Sequence, residues 1–162
     1  MAIDTSEIRS TLNDVIETCK DSEEGFRSAA EKVRSEVRSL FQTYASQRAQ
    51  FASELQSEVA RLGGKPETSG STAGALHRGW MGLKSALTGE DDHAILAEAE
   101  RGEDSAVKAY RDALSKDLPT DLRSIIERQF REVQETHNRV RSLRDGVTTG
   151  TTSTGTTRPT TY

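Results

Sequence analysis

Apolar residues recur along most of this chain at the three- and four-residue intervals that place one stripe on an α-helix. A first stripe through Ile8, Leu12, Val15, Ile16, Cys19, Phe26, Ala29, Ala30 and Val33 predicts a helix from about Ser6 to Val33, with Asp4, Thr5 or Ser6 as its cap. The phase resets around Arg34 to Glu36, which predicts a tight turn between antiparallel helices. A second stripe follows through Val37, Leu40, Phe41, Tyr44, Phe51, Leu55, Val59 and Leu62, and it stops at Gly63-Gly64 with Pro66 beyond. Glycine fits the left-handed position after a helix, and proline cannot continue one. Residues Lys65 to Thr72 read as turns, and a shorter helix then places Leu76, Trp80, Leu83 and Leu87 on one face before Gly89 ends it. With Asp91 or Asp92 as cap, a third long helix runs to about Lys116 on Leu96, Ala99, Ala106, Tyr110 and Ala113. Pro119 opens a fourth on Leu122, Ile126, Phe130, Val133, Val140 and Leu143.

Four helices of about 25 residues, each roughly 35–40 Å long, are thus joined short, long, short. The long connection, about Gly63 to Glu90, can travel the length of a bundle, which lets the second and third long helices run parallel. The expected fold class is all-α: a ferritin-like four-helix bundle with a long helical crossover between helices 2 and 3. It occupies residues 1–145. Residues 146–162 form a Thr/Gly-rich tail with no apolar face to bury, and they read as a disordered, plain flexible terminus.

Each long stripe is interrupted once by a polar slot. The slots fall at Ser22 or Glu23, at Arg48 between Tyr44 and Phe51, at Glu103 beside Gly102, and at His137 between Val133 and Val140. Counting helical rise from the turns brings Glu23, Arg48, Glu103 and His137 within about two turns of one another, as one buried layer. A carboxylate in such a slot must protonate, find a cation or bind a metal. In the metal reading, Glu23, Glu103 and His137 hold iron, manganese or zinc. A full di-iron set needs a Glu from each of two helices and a Glu-x-x-His from each of the other two. Here the residue three before His137 is Gln134, and the second helix offers Arg48 and Phe51. The preferred expectation is therefore a buried polar network of Glu23, Arg48, Glu103 and His137, in which the planar Arg48 fork pairs with one or both carboxylates and fixes helix register.

Composition narrows the function classes. Charged residues make up 30% and aromatics 5%, which suits long solvated helices. The net charge of −4 and the absence of a basic run disfavour nucleic acid as a partner. The polar opening residues and the lack of any run of about 18 apolar residues predict no membrane span and a soluble cytoplasmic protein. The single cysteine, Cys19, cannot pair within the chain, and on its stripe it reads as a small buried hydrophobe. His77, Arg78 and Trp80 lie in the crossover as a candidate partner surface, although Trp80 reads better as a pin holding the short helix on the bundle. With no nucleophile elbow, phosphate-cradling glycine loop or His-Glu-x-x-His motif, no catalytic residue is assigned.

The segments LNDVIETCKDSEEGFRSAAE, LFQTYASQRAQFASELQ, GALHRGWMGLKSALTG and ILAEAERGEDSAVKAYRDAL, in this order and spacing, resemble the bacterial ferritin-like four-helix-bundle domain family of unknown function. The resemblance covers about residues 7–145, and Arg48, Gly74, His77, Trp80, Glu100, Gly102 and Glu103 fall in its recognisable segments. It implies a ferritin-like fold and a small bacterial cytoplasmic protein, and it implies no established activity. The functional expectation is a non-enzymatic bundle, stress-associated, acting through its surface with a protein partner or as a homo-oligomer. The alternatives are a divalent-metal ferritin relative with storage or oxidase activity, and a binder of small molecules in the bundle core.

Overall fold

The computed structural model of the chain describes residues 4–70, 80–89 and 91–147. The Asp4 carboxylate accepts the Glu7 backbone N–H at 3.0 Å and caps α1 (Thr5–Ala30). Beyond Ala30 the chain turns, and Arg38 reaches back to donate to the carbonyls of Ala30 and Val33 at 3.1 and 3.3 Å. α2 (Ser35–Arg61) stops at Gly63, whose φ of 76° only glycine adopts freely. α3 (Leu83–Thr88) is shorter than its stripe predicts; Leu76, His77 and Arg78 fall outside the described residues, as does the tail from residue 148. α4 (Asp92–Leu114) is capped by Asp91, and α5 (Thr120–Val147) completes the set. No strand occurs among the described residues.

Contacts between helix ends fix the directions. Glu7 at the start of α1 lies 3.7 Å from Lys116 just after α4, and the Arg34 backbone N–H meets Asp92 at the start of α4 at 3.3 Å. α1 and α4 are therefore antiparallel. The short turns make α1 antiparallel to α2 and α4 antiparallel to α5. Arg61 near the end of α2 pairs with Asp121 near the start of α5 at 3.2 Å, and Glu54 pairs with Arg128 one to two turns further in. The ring of neighbours is thus α1, α2, α5, α4, and the parallel helices α2 and α4 face each other across its diagonal.

Parallel α2 and α4 require the connection between them to climb the whole bundle, and its described contacts mark that climb along α1. The Leu62 carbonyl accepts from Arg9, the Lys65 carbonyl from Asn13, and the Glu67 backbone N–H donates to Asn13. Gly70 then sits against Asp21, and Trp80 against Gly25. The Gly82 N–H ends the path on the α4 carboxylate of Glu98 at 3.1 Å, which docks α3 on the bundle.

The buried side chains form two apolar clusters. One gathers Ile8 to Cys19 of α1 with Phe51 to Val59, Ala106 to Ala113 and Leu122 to Val133; the other gathers Phe26 to Val33 with Val37 to Ala45, Ile95 to Ala99 and Val140. On each long helix the change of cluster falls at the interrupted slot. No helix among the described residues is long and apolar enough to cross a membrane.

Candidate functional site

At the junction of the two clusters, Arg48 and Glu103 meet as a bidentate pair. Nη1 of Arg48 donates to Oε1 of Glu103 at 2.7 Å and Nη2 to Oε2 at 2.6 Å, and both side chains are 0% exposed. Burial works against the Arg48 cation, but the charge and hydrogen bonds of Glu103 outweigh it and hold the guanidinium above its ordinary range. Its carbon lies 5.7 Å from the centre of the Phe26 ring. Phe26 in turn packs edge-on against Phe41, Tyr44 and Trp80 at centroid distances of 5.1, 5.4 and 5.1 Å.

Two glycines admit Trp80 to this site. A Cβ at Gly25 of α1 would stand 2.5 Å from the indole Cδ2, and one at Gly102 of α4 would stand closer still to the indole. The Gly102-Glu103 step thus does two things on consecutive residues: it opens a slot for the tryptophan and delivers the carboxylate to Arg48.

A second polar line leaves the interior towards the surface. Tyr110 Oη donates to Gln129 Oε1 at 2.7 Å, and Gln129 Nε2 donates to Glu54 Oε1 at 2.8 Å. Cys19 Sγ lies 3.2 Å from Tyr110 Oη. The carboxylate at the far end can only accept, so every proton in the line points towards it and the Cys19 thiol is the donor to Tyr110. Burial pushes the Cys19 thiol up to about 11 and the Tyr110 phenol well above its usual value. Arg128, hydrogen-bonded to Glu54 at the surface end, holds that carboxyl below its usual range. Gln129, fully buried, had a sequence signal that apolarity masked: it lies three residues after Ile126 and four before Val133, beside the larger and more obvious Phe130.

The expected four-member layer is a pair here, because Glu23 and His137 share its level without turning inward. On α1 the inward residue is Ser22, buried to 1%, while the Glu23 carboxylate bridges Lys20 and Arg27 of its own helix at 3.0 Å each. On α5 Gln129 and Thr136 join Ile126, Val133 and Val140 on the inward face, each one residue earlier than the stripe position Phe130 or His137, and the buried His137 turns to a partner on α4. Its Nε2 meets Asp104 Oδ1 at 2.5 Å, and Thr136 satisfies itself on the Glu132 carbonyl at 3.0 Å. Glu100, also buried, takes Arg141 at 3.1 Å and Arg144. Of the crossover candidates, Trp80 is buried against Gly25 and Gly102, and His77 and Arg78 lie outside the described residues.

These positions do not fit a metal centre built on Glu23, Glu103 and His137. Both oxygens of Glu103 are occupied by a fixed cation, and the other two side chains are spent on different partners. No group of three His, Cys, Asp or Glu among the described residues is placed to hold a metal ion.

No curated protein matches the chain. A family match covers residues 7–116, which takes in α1 to α4 with Arg48, Glu103, Tyr110 and Trp80, and leaves α5 with Gln129 and His137 outside it. Spanning more than half of the sequence, that match shows that the chain belongs to the family described as Domain of unknown function (DUF2383).

Proposed function

We propose that this protein is a non-enzymatic, ferritin-like helical bundle in which the Arg48 guanidinium holds the central position that metal ions hold in metallated bundles of the same topology. The single crossover and the parallel α2 and α4 support the ferritin-like reading. The observation that carries the functional reading is the complete engagement of both Glu103 oxygens by Arg48 at zero exposure. A ligand carboxylate must be free to share its lone pairs with a metal, and a buried guanidinium in bidentate contact removes that freedom. The protein then acts through its outer surface, as a homo-oligomer or with a protein partner, in the bacterial cytoplasm that the resemblance implies.

The test is metal analysis of the full chain, purified without chelators, equilibrated with ferrous, manganous or zinc ions and desalted. Sub-stoichiometric metal is expected. One or two ions per chain that disappear in Glu103→Ala would overturn the proposal in favour of metal storage or oxidase chemistry.

A further inference from the structure

The antiparallel pair α4 and α5 is held in a register marked by three contacts. Arg141 meets Glu100 at 3.1 Å, His137 meets Asp104 at 2.5 Å, and the Arg111 guanidinium carbon sits 5.9 Å from the centre of the Phe130 ring. At the first two levels an acid faces a base. At the third, Arg111 of α4 faces Phe130, and Arg131 next to Phe130 lines the same groove, so two cations border it where the pattern calls for a pair of opposite sign.

Both arginines line an open groove of about 620 Å³ on the outside of the two helices, together with Gln134. Neither forms an ion pair with a carboxylate among the described residues. The carboxylates nearest in sequence are used elsewhere or turned aside. Asp112 takes Lys108 at 3.1 Å, and Glu135, one turn after Arg131 and also on the groove, pairs with neither arginine. The Arg111 guanidinium lies over the ring of Phe130, which stacks on the buried Tyr110 at 6.2 Å. Its fork rests against that ring, and no hydrogen bond from its N–H groups occurs among the described residues.

We infer that this end of the groove is an oxyanion site that takes the phosphate group of a small phosphorylated molecule, inorganic phosphate included. Arg111 and Arg131 approach it from opposite helices, and the Gln134 amide adds a further donor. Two guanidinium forks match phosphate oxygens in both geometry and charge, and a bound dianion removes the repulsion between them. Asp104, two turns along α4 and held by His137, closes the far end with negative charge together with Glu135. The site thereby favours a compact anion at the arginine end over an extended polyanion, in keeping with a net charge of −4. The Arg48–Glu103 pair plays no part in it.

Calorimetric titration of the full chain with inorganic phosphate, and separately with a sugar phosphomonoester, tests it. Saturable 1:1 binding is expected, with Arg111→Gln and Arg131→Gln each weakening it by about tenfold or more. Arg139→Gln, an exposed arginine of α5 that does not line the groove, should leave affinity unchanged. Tighter binding of the ester than of free phosphate would mean that the rest of the groove recognises the organic part, and equal affinity would mean that phosphate alone is the ligand. Absence of saturable binding to either probe, or equal weakening by Arg139→Gln, would overturn the assignment. All three arginines are exposed, and unchanged Trp80 fluorescence verifies that the variants keep the native fold.

Discussion

Arg48 on α2 and Glu103 on α4 join the two diagonally opposed helices of the bundle through hydrogen bonds of 2.7 and 2.6 Å, between two apolar clusters that exclude water from both. Closing that diagonal takes a long side chain from each helix, and the pair specifies which residue of α2 stands level with which residue of α4.

Removing one partner leaves the other as a buried, unpaired charge. Arg48→Met should therefore cost about 3–5 kcal/mol of stability, read by urea denaturation. Arg48→Met combined with Glu103→Leu should recover most of that loss, because an apolar pair of similar volume has no charge to desolvate. An unchanged midpoint in the single variant would be incompatible with a Glu103 carboxylate that depends on Arg48 for its only compensation.

Gly102→Ala should cost about 1–3 kcal/mol, since the added methyl group would overlap the Trp80 indole and force it outward. Trp80 is the one tryptophan in the sequence, so a red shift of intrinsic fluorescence reports its displacement directly. Gly146→Ala, with nothing within 4 Å of the new Cβ, provides the control and should be neutral or slightly stabilising.

Gln129→Leu strips Tyr110 of its acceptor and should destabilise by about 1–3 kcal/mol. In the Tyr110→Phe background the same change should cost less, because the hydroxyl that needed the amide is already gone. A double-mutant cycle with no coupling between the two positions would show that the hydrogen bond contributes nothing to stability.

The thiol of Cys19, raised to about 11 in the folded chain from an ordinary value of 9.0, makes stability depend on alkaline pH. Its folded value lies above the unfolded one, so its contribution is fully present below pH 9.0. That contribution is lost progressively as pH rises from 9.0 through about 11, because the unfolded chain's thiol ionises over that range before the folded one does. Unfolding midpoints measured across that range should fall for the native protein and fall less for Cys19→Ala. Consistent with the same burial, a thiol-specific reagent at pH 8 should label Cys19 only after denaturant is added.

Local chemistry made much of this fold legible. Asp4 and Asp91 cap their helices as their types and positions suggest, and Gly63 ends α2 in a left-handed conformation that a residue with a Cβ could not adopt cheaply. Arg48 and Glu103 stood out because each breaks an otherwise apolar stripe. Less visible was which residues of α5 fill the slots between its buried apolar positions. Leu122, Ile126, Val133 and Val140 are buried as their stripe predicts, but the slots between them are filled by Gln129 and Thr136, where Phe130 and His137 continue the stripe on paper. Tyr110 and Glu54 supply both hydrogen-bonding ends of the Gln129 amide, which removes the usual penalty for burying it, while Phe130 serves at the flank against Tyr110 and Arg111.

By itself the sequence determined the four long helices, their caps and breaks, and the level at which each apolar stripe gives way, because period and capping depend on residues within a few positions of one another. Only the tertiary structure decided which polar side chains at that level meet. Glu23 finds Lys20 and Arg27 within a turn on its own helix and has no need of Arg48, and His137, one residue past the inward Thr136, meets Asp104 of α4. Trp80 likewise fits only because Gly25 and Gly102, 77 residues apart in sequence, stand on either side of one indole ring, an arrangement that follows from packing and from no local rule.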